Sequence, residues 1–355
     1  MSGNHDGSPP REDLLEVRNV TKDYVVKSRD FVRRQSNLLR ALDEVSLNLK
    51  AANTLGVVGE SGSGKTTLAK IIALLETPTQ GEVLFEGRKI TSFDQREVKS
   101  FRRQVQFVFQ DPYSSLPARM SVATLMAEPL AIHGIGTSRE RTEKAAELLE
   151  RVGLDRADLS RYPHNFSGGQ RQRISIARAL MLQPRLLLCD EPVSALDVSI
   201  QAQILKLLLE LQQDFSLSYL VISHDLRVVR FLCDDLAVMY LGRIVEQGNA
   251  RSVFARPAHP YTAALIKSIP PHSVVRNQRV ELSHLPGEVP SPLSRPSGCH
   301  FHPRCPLRAQ LGKEDAARCD HERPALRPVT NGRTSACHFA ERLLEQEELA
   351  QGGNR

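Results

Sequence analysis

Gly59-Glu60-Ser61-Gly62-Ser63-Gly64-Lys65-Thr66-Thr67 is the stretch from which the rest of the chain is read. It fits the spacing G-x-x-x-x-G-K-[ST] of a phosphate-binding loop. Glycines let consecutive backbone N–H groups turn inward around phosphate oxygens, and a helix starting near Gly64 adds its positive end. Lys65 brings a charge to the outer phosphates, and the Thr66 hydroxyl suits Mg²⁺. The pattern requires a strand before it and a helix after it. Leu55 to Val58 is a short apolar run ending in glycine, and Leu68 to Leu75 is an apolar helical stretch, so the context is met.

Further out, Leu14 to Val20 alternates apolar and polar residues as a half-buried strand does, and Leu186 to Cys189 and Tyr219 to Ser223 read as buried strands. Ile204, Leu207, Leu208 and Leu211 repeat at helical spacing, which predicts an amphipathic helix over Ser199 to Phe215. Strands alternating with helices indicate an α/β fold with a largely parallel sheet. The 355 residues allow one large domain plus a smaller one. No stretch approaches the roughly 20 apolar residues that cross a bilayer, and Met1 to Pro10 carries no apolar secretory core. The chain is therefore expected not to span a membrane. Its formal net charge is +6, and the dense basic stretch Lys27 to Arg40 reads either as a solvated loop or as a contact for lipid headgroups or a partner subunit.

Leu186-Leu187-Leu188-Cys189-Asp190-Glu191 is an apolar run ending in two carboxylates. A buried strand would deliver both to the carboxyl edge of the sheet, where α/β folds bind ligands. Asp190 is then expected to hold Mg²⁺, and Glu191 to polarise the attacking water. Upstream, Phe166-Ser167-Gly168-Gly169-Gln170 precedes a helix-compatible segment, again suited to an anion at a helix N-terminus.

With these motifs in this order, the chain resembles the ATP-binding subunits of ABC transporters over about residues 12–265. Phe166 to Gln170 is similar to the family signature, which usually begins with leucine. Gln110 resembles the Q-loop glutamine, Ser194-Ala195-Leu196-Asp197 the D-loop, His224 the switch histidine and Tyr24 the aromatic residue that stacks on adenine. The resemblance implies a P-loop ATPase of ABC type: a RecA-like core with an antiparallel β subdomain and a helical signature subdomain. Its ligands would be ATP and Mg²⁺, with Thr66, Gln110 and Asp190 on the metal. Two such domains would pair head to tail, each site joining one phosphate loop to the other subunit's Ser167, Gly168, Gly169 and Gln170. Glu191, His224 and Lys65 would carry the chemistry.

Longer matches narrow the branch. Gln110-Asp111-Pro112-Tyr113-Ser114-Ser115-Leu116, Tyr162-Pro163-His164, the segment from Ile222 to Leu226 and that from Val238 to Glu246 resemble the oligopeptide, dipeptide and nickel importers, and within them the F-type subunit of a D/F pair. The implied partners are a second ATPase in a heterodimer, two membrane permeases and, indirectly, an external solute-binding protein. The implied location is the cytoplasmic face of the bacterial membrane, with no nucleic acid involved. A soluble ABC ATPase acting on nucleic acid or ribosomes is the competing class, and a nickel or other small-solute importer the competing cargo.

Proline becomes frequent from Arg256 to Pro303, which predicts a surface linker rather than regular helix or central strand. Cys299, Cys305, Cys319 and Cys337 follow within a segment too small to hold a core without staples or metal. Four thiolates suit zinc or an iron–sulfur cluster, and the resemblance implies [4Fe–4S]. Cys189 and Cys233 read as core residues. The expected organisation is a disordered residue 1–11 segment, an ATP-binding domain over 12–265, a Pro- and Cys-rich C-terminal module over 266–340 and a charged tail over 341–355, with a helix from Glu341 to Ala350.

Overall fold

The computed structural model describes residues 13–27, 36–111, 116–269, 287–330 and 332–345. The expected disorder of 1–11, the middle of the basic stretch, residues 112–115 of the branch motif and the end of the charged tail lie outside them.

Two sheets carry the fold. β1 (Asp13–Lys27), β2 (Ser36–Lys50), β4 (Gln80–Phe85) and β5 (Arg88–Lys89) form an antiparallel sheet in the order β2-β1-β4-β5. β3 (Thr54–Val58), β6 (Val105–Val108), β7 (Leu186–Asp190), β8 (Ser218–Ser223), β9 (Asp235–Tyr240), β10 (Arg243–Asn249), β11 (Arg327–Thr330) and β12 (Arg333–Ser335) form an eight-stranded sheet, ordered β11-β12-β10-β9-β3-β8-β7-β6. Its centre is parallel, with β3 beside β8 and β9, and β7 beside β6 and β8. Every residue of β3, β7 and β8 is buried, which is why these strands are unbroken apolar runs rather than alternating ones.

The helix Val198–Phe215 buries Ile204, Leu205, Leu207, Leu208 and Leu211, the face that the periodicity predicts. The Tyr219 hydroxyl of β8 donates to its Leu208 carbonyl at 2.8 Å. Three helices, Val122–His133, Ser138–Arg151 and Gly168–Leu180, pack on one another as a helical subdomain and share an apolar core with one face of the parallel sheet. The antiparallel sheet packs its apolar residues with the helix Lys65–Ile72 and the other face. The ABC-type ATPase core expected from the resemblance is thus present.

Several sequence expectations are corrected. β1 continues past Val20 to Lys27, and β2 begins at Ser36, so the ends of the basic stretch are strand rather than loop. The proline-rich region begins with regular helix, Pro260–Lys267, because Pro260 occupies the first helical turn, where its missing N–H costs nothing. Nor does its start merely lie on the surface: Ala258 and His259 are buried, and their backbone N–H groups donate at 2.8 and 3.0 Å to the fully buried Glu246. Beyond that region β12 pairs with β10, and Arg333 donates to Glu246 at 2.8 Å. Helical backbone continues from residue 340 to 345.

Candidate nucleotide site

The carboxyl ends of β3, β7 and β8 lie side by side, so their following residues converge. β3 leads into the loop 59–64, β7 ends in Asp190 with Glu191 next, and β8 is followed by His224. Two glycines make the loop possible. A Cβ on Gly59 would stand 2.1 Å from the Met239 carbonyl oxygen, and one on Gly64 would stand 2.5 Å from that of Ala41, where φ is also +102°. No side chain caps the helix Lys65–Ile72, and the first N–H groups of a helix have no partner within it. They are left to an anion.

A cleft of about 340 Å³ opens above this loop, lined among others by Tyr24, Ser61, Gly62, Gly64, Lys65, Thr66, Thr67, Gln110 and Glu191. Lys65 is buried, and its Nζ donates to the Gly59 and Glu60 carbonyls at 2.8 and 2.9 Å and to Ser63 Oγ at 3.3 Å. Burial lowers its pKa against the pull of Glu191, Asp190 and Glu60. An ammonium held only by neutral oxygens gains by meeting phosphate. Thr66 Oγ1 donates to Asp190 Oδ1 at 3.4 Å, the pairing a hydroxyl and carboxylate need to share one cation. Burial raises the Asp190 carboxyl despite that hydrogen bond, and a divalent ion would reverse the effect.

Glu191 has φ of +47°, strained for a residue with a Cβ. Its two oxygens are held apart, Oε1 by His224 Nδ1 at 2.8 Å and Oε2 by the Gln110 amide at 2.9 Å. With its nitrogen so engaged, Gln110 has its oxygen available for a metal. Tyr24 borders the cleft, its hydroxyl donating to the Glu76 carboxylate.

Not all expected site residues meet here. Ser167 caps the helix Gly168–Leu180, accepting from Gln170 N at 3.3 Å while its own N–H donates to Gln170 Oε1 at 3.0 Å. Gly169 lets Ile200 pack against the helix, since a Cβ would stand 2.4 Å from Ile200 Cγ2. Asp197 precedes the helix Val198–Phe215 and is exposed. None of Ser167, Gly168, Gly169, Gln170 or Asp197 lines the loop's cleft. Conversely, Arg40, Pro292 and Arg295 do line it although no motif marked them, and Glu76 is equally unmarked.

Cys299, Cys305, Cys319 and Cys337 also converge, all four facing one small cavity of about 10 Å³ beside Phe301, Leu307 and Phe339. That is room for about one water, not for a cluster. Burial pushes the Cys299 and Cys337 thiols up to about 12 and raises those of Cys305 and Cys319. Among the described residues no group of three or more His, Cys, Asp or Glu is arranged to hold a metal ion. In this arrangement the thiols serve as core, so the expected metal set is not formed as they stand.

The fold and this loop define a P-loop ATPase, and comparison with known proteins resolves it further. Residues 42–194 match the model described as ABC transporter, and residues 245–310 that described as oligopeptide/dipeptide transporter, C-terminal region. The chain is 45% identical to the oligopeptide transport ATP-binding protein AppF of Bacillus subtilis, over 93% of this chain and 98% of that one. It is 46% identical to the di/tripeptide transport ATP-binding protein DppF of Pseudomonas aeruginosa, over 94% and 99%. A solved dimeric ATP-binding cassette in a post-hydrolysis state, bound to ADP and Pi, superposes with a TM-score of 0.59 at 32% identity, covering 67% of this chain and 99% of that one. The chain belongs to the ATP-binding subunits of ABC transporters, in the group that carries the oligopeptide/dipeptide C-terminal region. It is an ATPase coupled to transport. Among the described residues no helix is long and apolar enough to cross a membrane.

Proposed function

We propose that this chain energises import of di- or oligopeptides, binding ATP and Mg²⁺ in the cleft above Gly59–Thr67 and hydrolysing ATP with a second ATPase subunit. The observation that carries the reading is the Glu191 carboxylate, braced between Gln110 and His224 at the mouth of the phosphate loop. Phosphoryl transfer is mainly positioning plus electrostatics. Mg²⁺, when bound, neutralises charge between the outer phosphates, and Thr66, Asp190 and Gln110 would hold it. Lys65 leaves the carbonyls of its own loop for the phosphates. Glu191 orients and polarises the attacking water, and His224 steers toward the γ-phosphate. The helix N-terminus at Ser167 lies away from this chain's own cleft. It is therefore suited to the ATP of a second subunit in a head-to-tail pair, and on this reading that subunit is a related ATPase.

The remaining parts are two permeases and an external binding protein that selects cargo, with the ATPase on the cytoplasmic face of the membrane. The peptide cargo rests on the relatives' names and on the match of residues 245–310. Division into residues 12–265 and 266–340 belongs to the same reading. A metal at the four cysteines, [4Fe–4S] or zinc, belongs to it too, and would require the four thiols that line one small cavity to move apart around it. Anaerobic purification tests it. Brown protein with broad absorbance near ~400 nm supports the cluster, colourless protein with stoichiometric zinc supports the alternative, and metal-free protein removes both.

Reconstitution tests the whole. The chain, co-expressed with permeases and a second ATPase in proteoliposomes, should hydrolyse ATP faster when a peptide-loaded binding protein is added. No response to any peptide-loaded binding protein would refute peptide import.

A further inference from the structure

We infer that the C-terminal segment from Pro292 to Arg304 is a working part of the nucleotide site of its own chain, with Arg295 as a positioning residue on the cleft wall and Arg304 as one on the phosphate loop.

Arg295 acts on the wall made by β1 and β2. With Pro292 it lines the cleft beside Leu39, Arg40 and Ala41. One of its terminal nitrogens donates to the Arg40 carbonyl, and the other to Asp43 Oδ2 at 3.2 Å. Arg40 in turn grips Asp23 through two bonds of 2.9 and 3.2 Å, and Asp23 is the chain neighbour of Tyr24. Asp43 is a buried hub. It also meets Arg323 at 2.8 Å, Arg40 at 3.4 Å and Arg243 at 3.9 Å. Of the four guanidiniums around this buried carboxylate, those of Arg295 and Arg323 come from the C-terminal part of the chain and tie it to β2, whose Leu39, Arg40 and Ala41 wall the cleft. A bidentate guanidinium fixes geometry as well as charge.

Arg304 acts on the phosphate loop itself. Its fork meets the Glu60 carboxylate at 2.8 and 3.0 Å, and the Tyr261 hydroxyl accepts from Glu60 N at 2.9 Å. Glu60 is the second residue of the loop, and its carbonyl accepts from Lys65. A carboxylate inside an anion-binding loop repels the phosphates it flanks. Arg304, itself almost fully buried, neutralises Glu60 and draws its side chain to the C-terminal segment. The two contacts are some 250 residues distant in sequence from the strands and loop they hold, yet both bear on one ligand.

The test is binding of Mg²⁺ with a fluorescent N-methylanthraniloyl ATP by the full chain, with inorganic tripolyphosphate as competitor. R295A should weaken the nucleotide about tenfold and leave tripolyphosphate unchanged, because tripolyphosphate needs only the loop. R304A should weaken both about tenfold, and adding E60Q to it should restore both, because the charge in need of neutralising is gone. R304Q, which keeps the stem packed, carries the same test should R304A not fold. Equal loss of both ligands in R295A, no loss in R295A, or failure of E60Q to restore R304A would overturn the inference, since general loosening gives no such crossed pattern. The inference rests on the cleft being the nucleotide site. That premise has its own control, K65A. Undiminished nucleotide binding there refutes the site assignment rather than the role of the C-terminal segment.

Discussion

Replacing Glu191 by glutamine removes a charge and a proton acceptor while leaving the volume almost unchanged. In the native arrangement Oε2 accepts from the Gln110 amide at 2.9 Å and Oε1 pairs with His224 Nδ1 at 2.8 Å. A glutamine can keep both contacts by turning its oxygen toward Gln110 and its nitrogen toward an unprotonated Nδ1. The brace therefore survives, and ATP affinity should stay within about twofold of the native value. The turnover should not survive. An amide cannot take a proton from water or polarise it comparably, and positioned acid–base groups contribute about 10²- to 10⁴-fold. A drop of at least ~10²-fold corresponds to about 2.7 kcal/mol of lost transition-state stabilisation. The assay is phosphate release by the reconstituted complex at saturating ATP, with nucleotide affinity measured in parallel. Near-normal turnover with intact binding would refute the reasoning. A large loss of affinity would show instead that the carboxylate holds the site together rather than serving the chemical step.

Three further outcomes follow from the same geometry. Y24A should lose about 1–3 kcal/mol of ATP affinity if the ring stacks on the base, whereas Y24F, which loses the hydroxyl's bonds to Glu76 and Thr67, should retain most of it; equal losses in the two, measured by calorimetric titration, would exclude stacking. R333M leaves the fully buried Glu246 with its backbone N–H partners but without a cation, which should cost about 3 kcal/mol of stability in denaturant unfolding. Because burial holds the Glu246 carboxyl above its ordinary range, the folded chain takes up that proton more readily than the unfolded one, so the deficit should narrow as pH falls from neutral toward the ordinary carboxylate range. His259 is buried, accepts from Tyr261 N at 3.1 Å, and is pushed by burial down to about 3. Unfolded histidine protonates near ~6.5, so the native fold loses stability as pH falls from there toward about 3. H259N, which keeps the helix cap, should flatten that part of the stability profile, and an unchanged profile would refute the assignment.

How much of this was legible in the sequence differs from element to element. The loop, the Asp190-Glu191 strand end and the helix over Val198–Phe215 were readable because their signals are local: spacing within about ten residues, and periodicity that records which face is buried. Proline frequency predicts no helix over Pro260–Lys267, yet a proline in the first turn starts one. Segment ends were misplaced, as in β1, because pairing with β2 and β4 rather than intrinsic pattern sets where a strand stops.

What the sequence by itself determined is the chemistry available: a phosphate loop, two carboxylates on a buried strand, a histidine after the next strand and four clustered thiols. What only the tertiary structure decided is which of these meet. Glu191, Gln110 and His224 come together because β6, β7 and β8 are neighbours in the sheet. Ser167 stands apart from its own loop because the helical subdomain carries it elsewhere. Arg295 reaches the cleft wall and Arg304 the phosphate loop because Asp43 and Glu60 offer carboxylates there. A charged residue carries no periodic signal of its partner. The pairing is made by burial, where an unpaired charge is costly, and burial exists only once the chain has folded.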